Sequence, residues 1–450
     1  MITTINPYNS KEIQQYQELT KKEIKAKLKT AQETFEDWRE TSFEHRAKHM
    51  RHVGELLRKN KESYAKLITQ EMGKPISQSR GELEKCAGLC DHYADKASEY
   101  LAREHIETEY FKSYVSYEPI GVVLAVMPWN FPFWQVFRFI VPALMAGNVG
   151  VLKHASNVMG CAELIESIFL EAGFPLGGLQ NLIIGTEEVE AIINNKAVKA
   201  VTLTGSKPAG AAVAAIAGKQ IKKAVLELGG NNALVVFNDA DIEDAVQKCV
   251  VARFHNTGQS CIAGKRLLLQ ESIAEKFLEK FTEEVKALVS GDPQDDDTFI
   301  GVMAREDLAV ELEHLMNVSI DKGAKLHCGG LRDKTYFAPT ILTGVTADMA
   351  VFKKETFGPL IAVTTFKTEN EAINLVNNSK FGLGASLFSA DLEKMEELAV
   401  QIKDGAVFIN HKVVSHPALP FGGTGISGYG RELSHHGIRE FVNIKSVVIA

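Results

Sequence analysis

Cys261 closes the run Phe254, His255, Asn256, Thr257, Gly258, Gln259, Ser260, Cys261, in which a thiol follows small and polar residues able to form a loop. Such a loop presents sulfur to a cleft, where a thiolate attacks an electrophilic carbon. A buried structural cysteine is the plainer alternative, because free cysteines rank among the most buried residues. Two further patches bear on the choice: Leu226, Glu227, Leu228, Gly229, Gly230, Asn231 and Pro128, Trp129, Asn130, Phe131, Pro132. Each ends an apolar run with a polar residue. Open α/β sheets bind ligands beyond the carboxyl ends of their strands, the position this pattern gives Asn130 and Glu227. Either residue alone would pass for a solvated glutamate or a turn-forming asparagine.

The elements that must position these residues follow from the apolar pattern. Aliphatic runs at 122–127, 149–152, 181–184, 200–203 and 224–228 alternate with helical stretches, which predicts parallel strands covered by helices. A second alternating set lies at 233–237, 266–270, 360–365, 385–388 and 406–409. The fold class is therefore α/β, with two Rossmann-like parallel domains. Residues 21–103 are rich in Glu, Lys, Ala and Leu at helical spacing, broken by Gly73 and Pro75, and predict a helical layer over the first sheet. The run 139–152 falls short of the ~20 residues that span a bilayer and reads as a buried helix entering a strand. The polar stretch 291–298 reads as a surface loop. With no flexible linker between the domains, a cleft at their interface is the default site.

Composition limits the alternatives. A hydrophobic share of 45% and a charged share of 24% favour neither disorder nor a membrane protein. The net charge of −7 has no basic run within it, which argues against a nucleic-acid partner. The first ten residues show no secretory pattern, so a cytoplasmic location is expected. Six irregularly spaced cysteines predict reduced thiols rather than a disulfide scaffold. No HExxH or comparable histidine spacing is present, and no metal is expected; the adjacent His435 and His436 read as surface or interface residues.

Taken together, the patches resemble the signatures of the aldehyde dehydrogenase superfamily: 226–230 its glutamate motif and 256–261 its cysteine motif. The resemblance extends to Lys153 after a strand, to Gly205, Ser206 and Gly210, to Glu355, Thr356, Phe357, Gly358, Pro359, and to Pro420, Phe421, Gly422, Gly423. It implies oxidation of a small-molecule aldehyde to its acid. Cys261 would attack the aldehyde, the Asn130 amide and the Cys261 N–H would hold the oxyanion, and Glu227 would activate the hydrolytic water. A carboxylate placed for hydrolysis argues against acyl transfer to coenzyme A. The resemblance also implies a domain for NAD or NADP at 1–106 with 120–230, a catalytic domain at 231–431, and an oligomerisation arm at 107–119 with 432–450. A homodimer or homotetramer is expected from that arm, whose free strand edges invite a partner.

Cofactor contacts are implied at Trp129, Lys153, Ser156, Gly205, Ser206, Gly210, Gly229, Glu355 and Phe357. The family often carries a glutamate three residues after the strand-end lysine, which repels a 2′-phosphate. Ser156 stands there instead, so NADP should be tolerated, and His154 occupies a position where proline is usual. The formal GxGxxG match, 423–428, has no strand directly before it and reads as a decoy; a near P-loop match at 258–265 has the wrong spacing. Arg138, eight residues after Asn130, lies two turns along the predicted helix and could bind a carboxylate bidentately. The pattern 128–138 is similar to succinate-semialdehyde dehydrogenases of the shorter bacterial branch, in which Ser415 matches a second carboxylate-binding position. Ser260 and Ile262 flank the nucleophile, so a disulfide switch beside it is not expected.

Overall fold

Continuous apolar runs become the central strands of two sheets. A computed structural model describes residues 1–450. In the first sheet Val122–Met127, Val149–His154, Leu179–Asn181, Val198–Thr204 and Lys223–Glu227 run parallel. Val149–His154 is buried at every residue, as expected where helices cover both faces. Val122–Met127 lies between Val149–His154 and Val198–Thr204, so the strand order reverses beside it. A crevice opens at such a reversal, and Pro128, Trp129 and Asn130 leave the strand directly into it.

The second sheet sets Thr340–Thr343, Leu360–Phe366, Gly264–Gln270, Asn232–Val236, Ala385–Phe388 and Val407–Ile409 in parallel, with Lys325–Cys328 antiparallel at one edge. Four helices, Lys21–Trp38, Phe43–Lys59, Lys61–Met72 and Ile76–Tyr100, form the N-terminal layer. The break between the last two falls at Gly73, whose φ of 75° caps the third helix in the left-handed region. One apolar core joins this layer to the first sheet, and two smaller cores flank the second. The wholly buried helix Trp134–Met145 leads into Val149–His154, as the apolar run indicated.

Several features depart from the sequence expectations. The third strand is Leu179–Asn181 rather than 181–184. Thr340–Thr343, Lys325–Cys328 and an N-terminal hairpin of Ile2–Ile5 with Glu12–Tyr16 were not anticipated, being short and largely polar or alternating. The arm sheet joins Lys112–Pro119 to Val442–Ile449 and also takes in Glu104–His105, ahead of residue 107. The GxGxxG segment crosses between the sheets: Thr424–Gly425 pairs with Phe381–Gly382, and Gly428–Tyr429 pairs antiparallel with Lys223–Glu227. Gly428 adopts φ 113° and approaches the Leu226 carbonyl so closely that a Cβ would collide with it. Residues 428–429 therefore belong to the first sheet, although they lie within the 231–431 segment. No helix is long and apolar enough to cross a membrane.

Candidate active site

The loop that presents Cys261 is strained and held from all sides. After the helix Ile242–Phe254, three successive residues take positive φ: Asn256 at 56°, Thr257 at 53° and Gly258 at 71°. Such conformations cost a non-glycine residue on the order of 1 to 3 kcal/mol and persist only where the surroundings enforce them. Here the Asn256 amide donates to the carbonyls of Asn130 (2.8 Å) and Gln259 (3.1 Å), while its backbone N–H donates to Gln78 Oε1 at 2.6 Å. Buried Arg253 gathers the carbonyls of Gly258, Thr356 and Gly358. Lys265 Nζ donates to the carbonyls of Ser260 (2.7 Å) and Cys261 (2.6 Å).

This turn delivers Cys261 to the wall of a cavity of about 430 Å³. Cys86, Cys90, Cys161 and Cys249 are wholly buried, whereas Cys261 is only partly so, and only it lines this cavity. Its placement on the cavity wall sets it apart from those four buried cysteines. Burial raises the thiol pKa, and the nearby cations of Arg138 and Lys265 oppose that shift. A proton acceptor is therefore needed to form thiolate near neutrality.

Asn130 lies across from this loop. Its Nδ2 donates to the Gln259 carbonyl at 3.1 Å and its Oδ1 accepts from Gln135 at 3.4 Å, so the amide nitrogen is turned toward the cysteine loop. The entry to the next helix has no side-chain cap of its own. Instead Glu82, from the N-terminal layer, accepts the N–H groups of Phe133 and Trp134, both at 2.9 Å. Glu82 is in turn paired with wholly buried Lys74, whose ammonium lies 3.9 Å from the Phe131 ring centroid.

Glu227 is the last residue of its strand and is buried. Its side-chain oxygens have no hydrogen-bonding partner from the protein. Burial first, and then the neighbouring carboxylate of Glu432, raises its pKa well above the usual carboxylate range; Arg138 and Arg431 oppose the shift. Arg138 lines the cavity with its guanidinium 4.5 Å from the Phe421 ring centroid. Ser415 lines the same cavity and accepts from Lys85 Nζ (2.6 Å) and Trp134 Nε1 (3.1 Å).

The arrangement thus combines a thiol in a cavity, an asparagine amide bonded to the cysteine loop, a buried carboxylate and cations that line the thiol's cavity. The profile of the Aldehyde dehydrogenase family matches residues 1–447. The chain belongs to that family. A probable succinate-semialdehyde dehydrogenase [NADP(+)] of Synechocystis sp. is 46% identical over 100% of both chains. A succinate semialdehyde dehydrogenase [NAD(P)+] of Escherichia coli is 44% identical over 99% of this chain and 97% of its own. The crystal structure of a succinic semialdehyde dehydrogenase from Streptococcus pyogenes, in complex with NADP+, superposes with a TM-score of 0.98 at 36% identity and full coverage of both chains.

A dinucleotide, the cofactor class expected of this family, fits the residues at the first sheet. Lys153 is only 8% exposed and forms no ion pair, so a buried cation stands at the end of its strand. Ser156 is exposed beside it, without a carboxylate at that position. Ser206 caps the helix Lys207–Lys219 by accepting from Ala209, and Gly205 donates to the Glu227 carbonyl at 2.9 Å. A Cβ on Gly210 would lie 2.7 Å from Leu228 Cδ2, so its absence lets the helix seat against the glutamate motif. Trp129 and Phe357 meet edge to face at 5.8 Å. Glu355 accepts from the Gly230 N–H at 3.0 Å and pairs with Lys265 at 3.2 Å, and a Cβ on Gly229 would collide with its carboxylate.

His154, at the position where proline is usual, is wholly buried and ordered by its contacts. Its Nδ1 accepts from Ala155 N–H at 2.9 Å, leaving Nε2–H to donate to the Pro132 carbonyl at 2.9 Å. Burial lowers its pKa to about 4, so the ring is neutral and ties the cofactor strand to the 128–132 loop. Nothing in the residue pattern marks Glu432, Lys74, Glu82 or Lys85 as participants. The conspicuous clue to any of them would have been charge in an otherwise apolar stretch, and all four sit in mixed helical or loop sequence.

Proposed function

We propose that this chain oxidises succinate semialdehyde to succinate with NADP as an accepted cofactor. The observation that carries the reading is that Arg138, Lys85 and Ser415 line the same cavity as Cys261, so one pocket joins a nucleophile to groups that suit a carboxylate. The names of the Synechocystis and Escherichia coli relatives support the same substrate. Ser156 and the unpaired Lys153 support acceptance of a 2′-phosphate, and NAD remains compatible with the remaining contacts.

In this reading Cys261 Sγ releases its proton to solvent and bonds to the aldehyde carbon, the Asn130 amide and the Cys261 N–H stabilise the oxyanion, and its collapse to the thioester expels the aldehyde hydrogen as hydride. The bound nicotinamide supplies a hydride acceptor. Glu227 then takes a proton from water as the water attacks the thioester, the C–S bond breaks, and the acid leaves with the thiol restored. Binding energy from the distant carboxylate orients the aldehyde toward Cys261. We also infer a homodimer or homotetramer, because Val442–Ile449 is an edge strand that exposes Ile444, Val448 and Ile449. A monomeric mass by light scattering would overturn that inference.

Initial rates of NADPH and NADH formation at matched concentrations test the proposed function. Succinate semialdehyde should exceed glutarate semialdehyde, butyraldehyde and benzaldehyde in kcat/KM. Equal specificity for the uncharged aldehydes would leave a general aldehyde dehydrogenase and remove the carboxylate-anchoring role.

A further inference from the structure

The charges around the cavity do not contribute equally. Its only lining carboxylate, Glu82, has its oxygens taken by Lys74 and two backbone N–H groups. Arg138 is paired with Glu432. Lys85 and Lys412 remain as lining cations without an acidic partner. Of these, the Lys412 ammonium has no hydrogen bond, whereas Lys85 is fixed: its Nζ donates to Ser415 Oγ at 2.6 Å and lies 4.0 Å from the Trp134 ring centroid.

The geometry of Ser415 adds a constraint. Its hydroxyl oxygen accepts from both Lys85 Nζ and Trp134 Nε1, which fills its two acceptor positions. The hydroxyl proton is then available to be donated, and Lys85 retains two further N–H donors of its own. We propose that Lys85 is the specificity-determining cation of this site: with Ser415, which it orients, it forms a donor pair that receives the carboxylate of a short semialdehyde. Arg138, with Glu432 already on its Nε side, supplies the wall beside them rather than the principal counter-charge.

This inference rests on the proposed substrate class and deepens it. The Lys85 ammonium pKa is lowered to about 8, first by burial and then by Arg138. An arriving carboxylate would relieve both effects. Lys85 lies in the helix Ile76–Tyr100, more than 140 residues before the glutamate and cysteine motifs, and no motif includes it.

The test compares kcat/KM for succinate semialdehyde with that for butyraldehyde in the full-length enzyme, its Lys85→Met, Lys85→Gln and Lys85→Arg variants, and Arg138→Met. Lys85→Gln retains a donor for Ser415 and serves should Lys85→Met not fold. The ratio should fall by about tenfold or more in the Met and Gln variants, chiefly through KM for the semialdehyde, and Lys85→Arg should recover most of it. An unchanged ratio in Lys85→Gln, with collapse in Arg138→Met, would overturn the proposal and return the anchoring role to Arg138. A wild-type enzyme with no preference for the anionic aldehyde would instead defeat the proposed function itself.

Discussion

Arg138 Nε meets Glu432 Oε2 at 2.7 Å, with the two side chains only 2% and 5% exposed. The contact is bent away from hydrogen-bond geometry, yet it brings the guanidinium into the substrate cavity with its charge already opposed. The same carboxylate raises the pKa of Glu227. One residue near the end of the chain thus bears on both the substrate wall and the hydrolytic base.

Removing one member of such a buried pair leaves the other unsupported. Arg138→Ala should destabilise the protein by about 3 to 5 kcal/mol, read as a lower urea midpoint, because Glu432 and Glu227 lose their nearest shared cation. Arg138→Ala combined with Glu432→Gln should recover part of that loss. Additive losses in the double variant would show that the pair is not coupled.

The pH dependence of turnover should report Glu227. Its base form is the one that burial and Glu432 disfavour, so activity should rise with pH along an acid limb displaced upward from an ordinary carboxylate. Glu432→Gln removes the adjacent negative charge and leaves Arg138 uncompensated. Both changes favour ionised Glu227, so the limb should move to lower pH. A limb that stays fixed or moves upward in Glu432→Gln would remove Glu432 from this role.

Cofactor choice should respond to one position. Ser156→Glu places a carboxylate beside the unpaired Lys153 and near the site inferred for a 2′-phosphate. The specificity constant for NADP should fall on the order of a hundredfold, while that for NAD falls far less. Parallel loss for both cofactors in steady-state titrations would show that Ser156 does not distinguish them.

The parts of the site that the sequence made legible are those that end apolar runs. The break from aliphatic to polar residues places Asn130 and Glu227 at or beyond strand ends, and in the structure Glu227 is the last residue of its strand while Asn130 lies three residues past Met127. Cys261 stands out because small and polar residues precede it, and the positive φ values at Asn256 and Gly258 fall on residue types that tolerate that region, whereas Thr257 is held there by its surroundings. What escaped notice comes from elsewhere in the chain. Lys85 and Glu82 occupy a helix whose mixed sequence reads as a solvated face, and only packing of that helix against Trp134–Met145 turns them inward. Arg138 was legible as a position on the correct helix, but its partner Glu432 lies nearly three hundred residues later and follows no periodicity that links the two. The missed strands share a different cause: Thr340–Thr343 has four residues, too few for a pattern of period two to be distinguished from a turn.

The most direct test of the covalent mechanism is intact-mass analysis of Glu227→Gln after incubation with NADP and succinate semialdehyde and rapid acid quenching. One equivalent of NADPH should form, and the protein should gain the mass of a single succinyl group that maps to Cys261 and is absent in Cys261→Ala with Glu227→Gln. Continued turnover at the wild-type rate with no adduct would contradict a Cys261 thioester hydrolysed through Glu227.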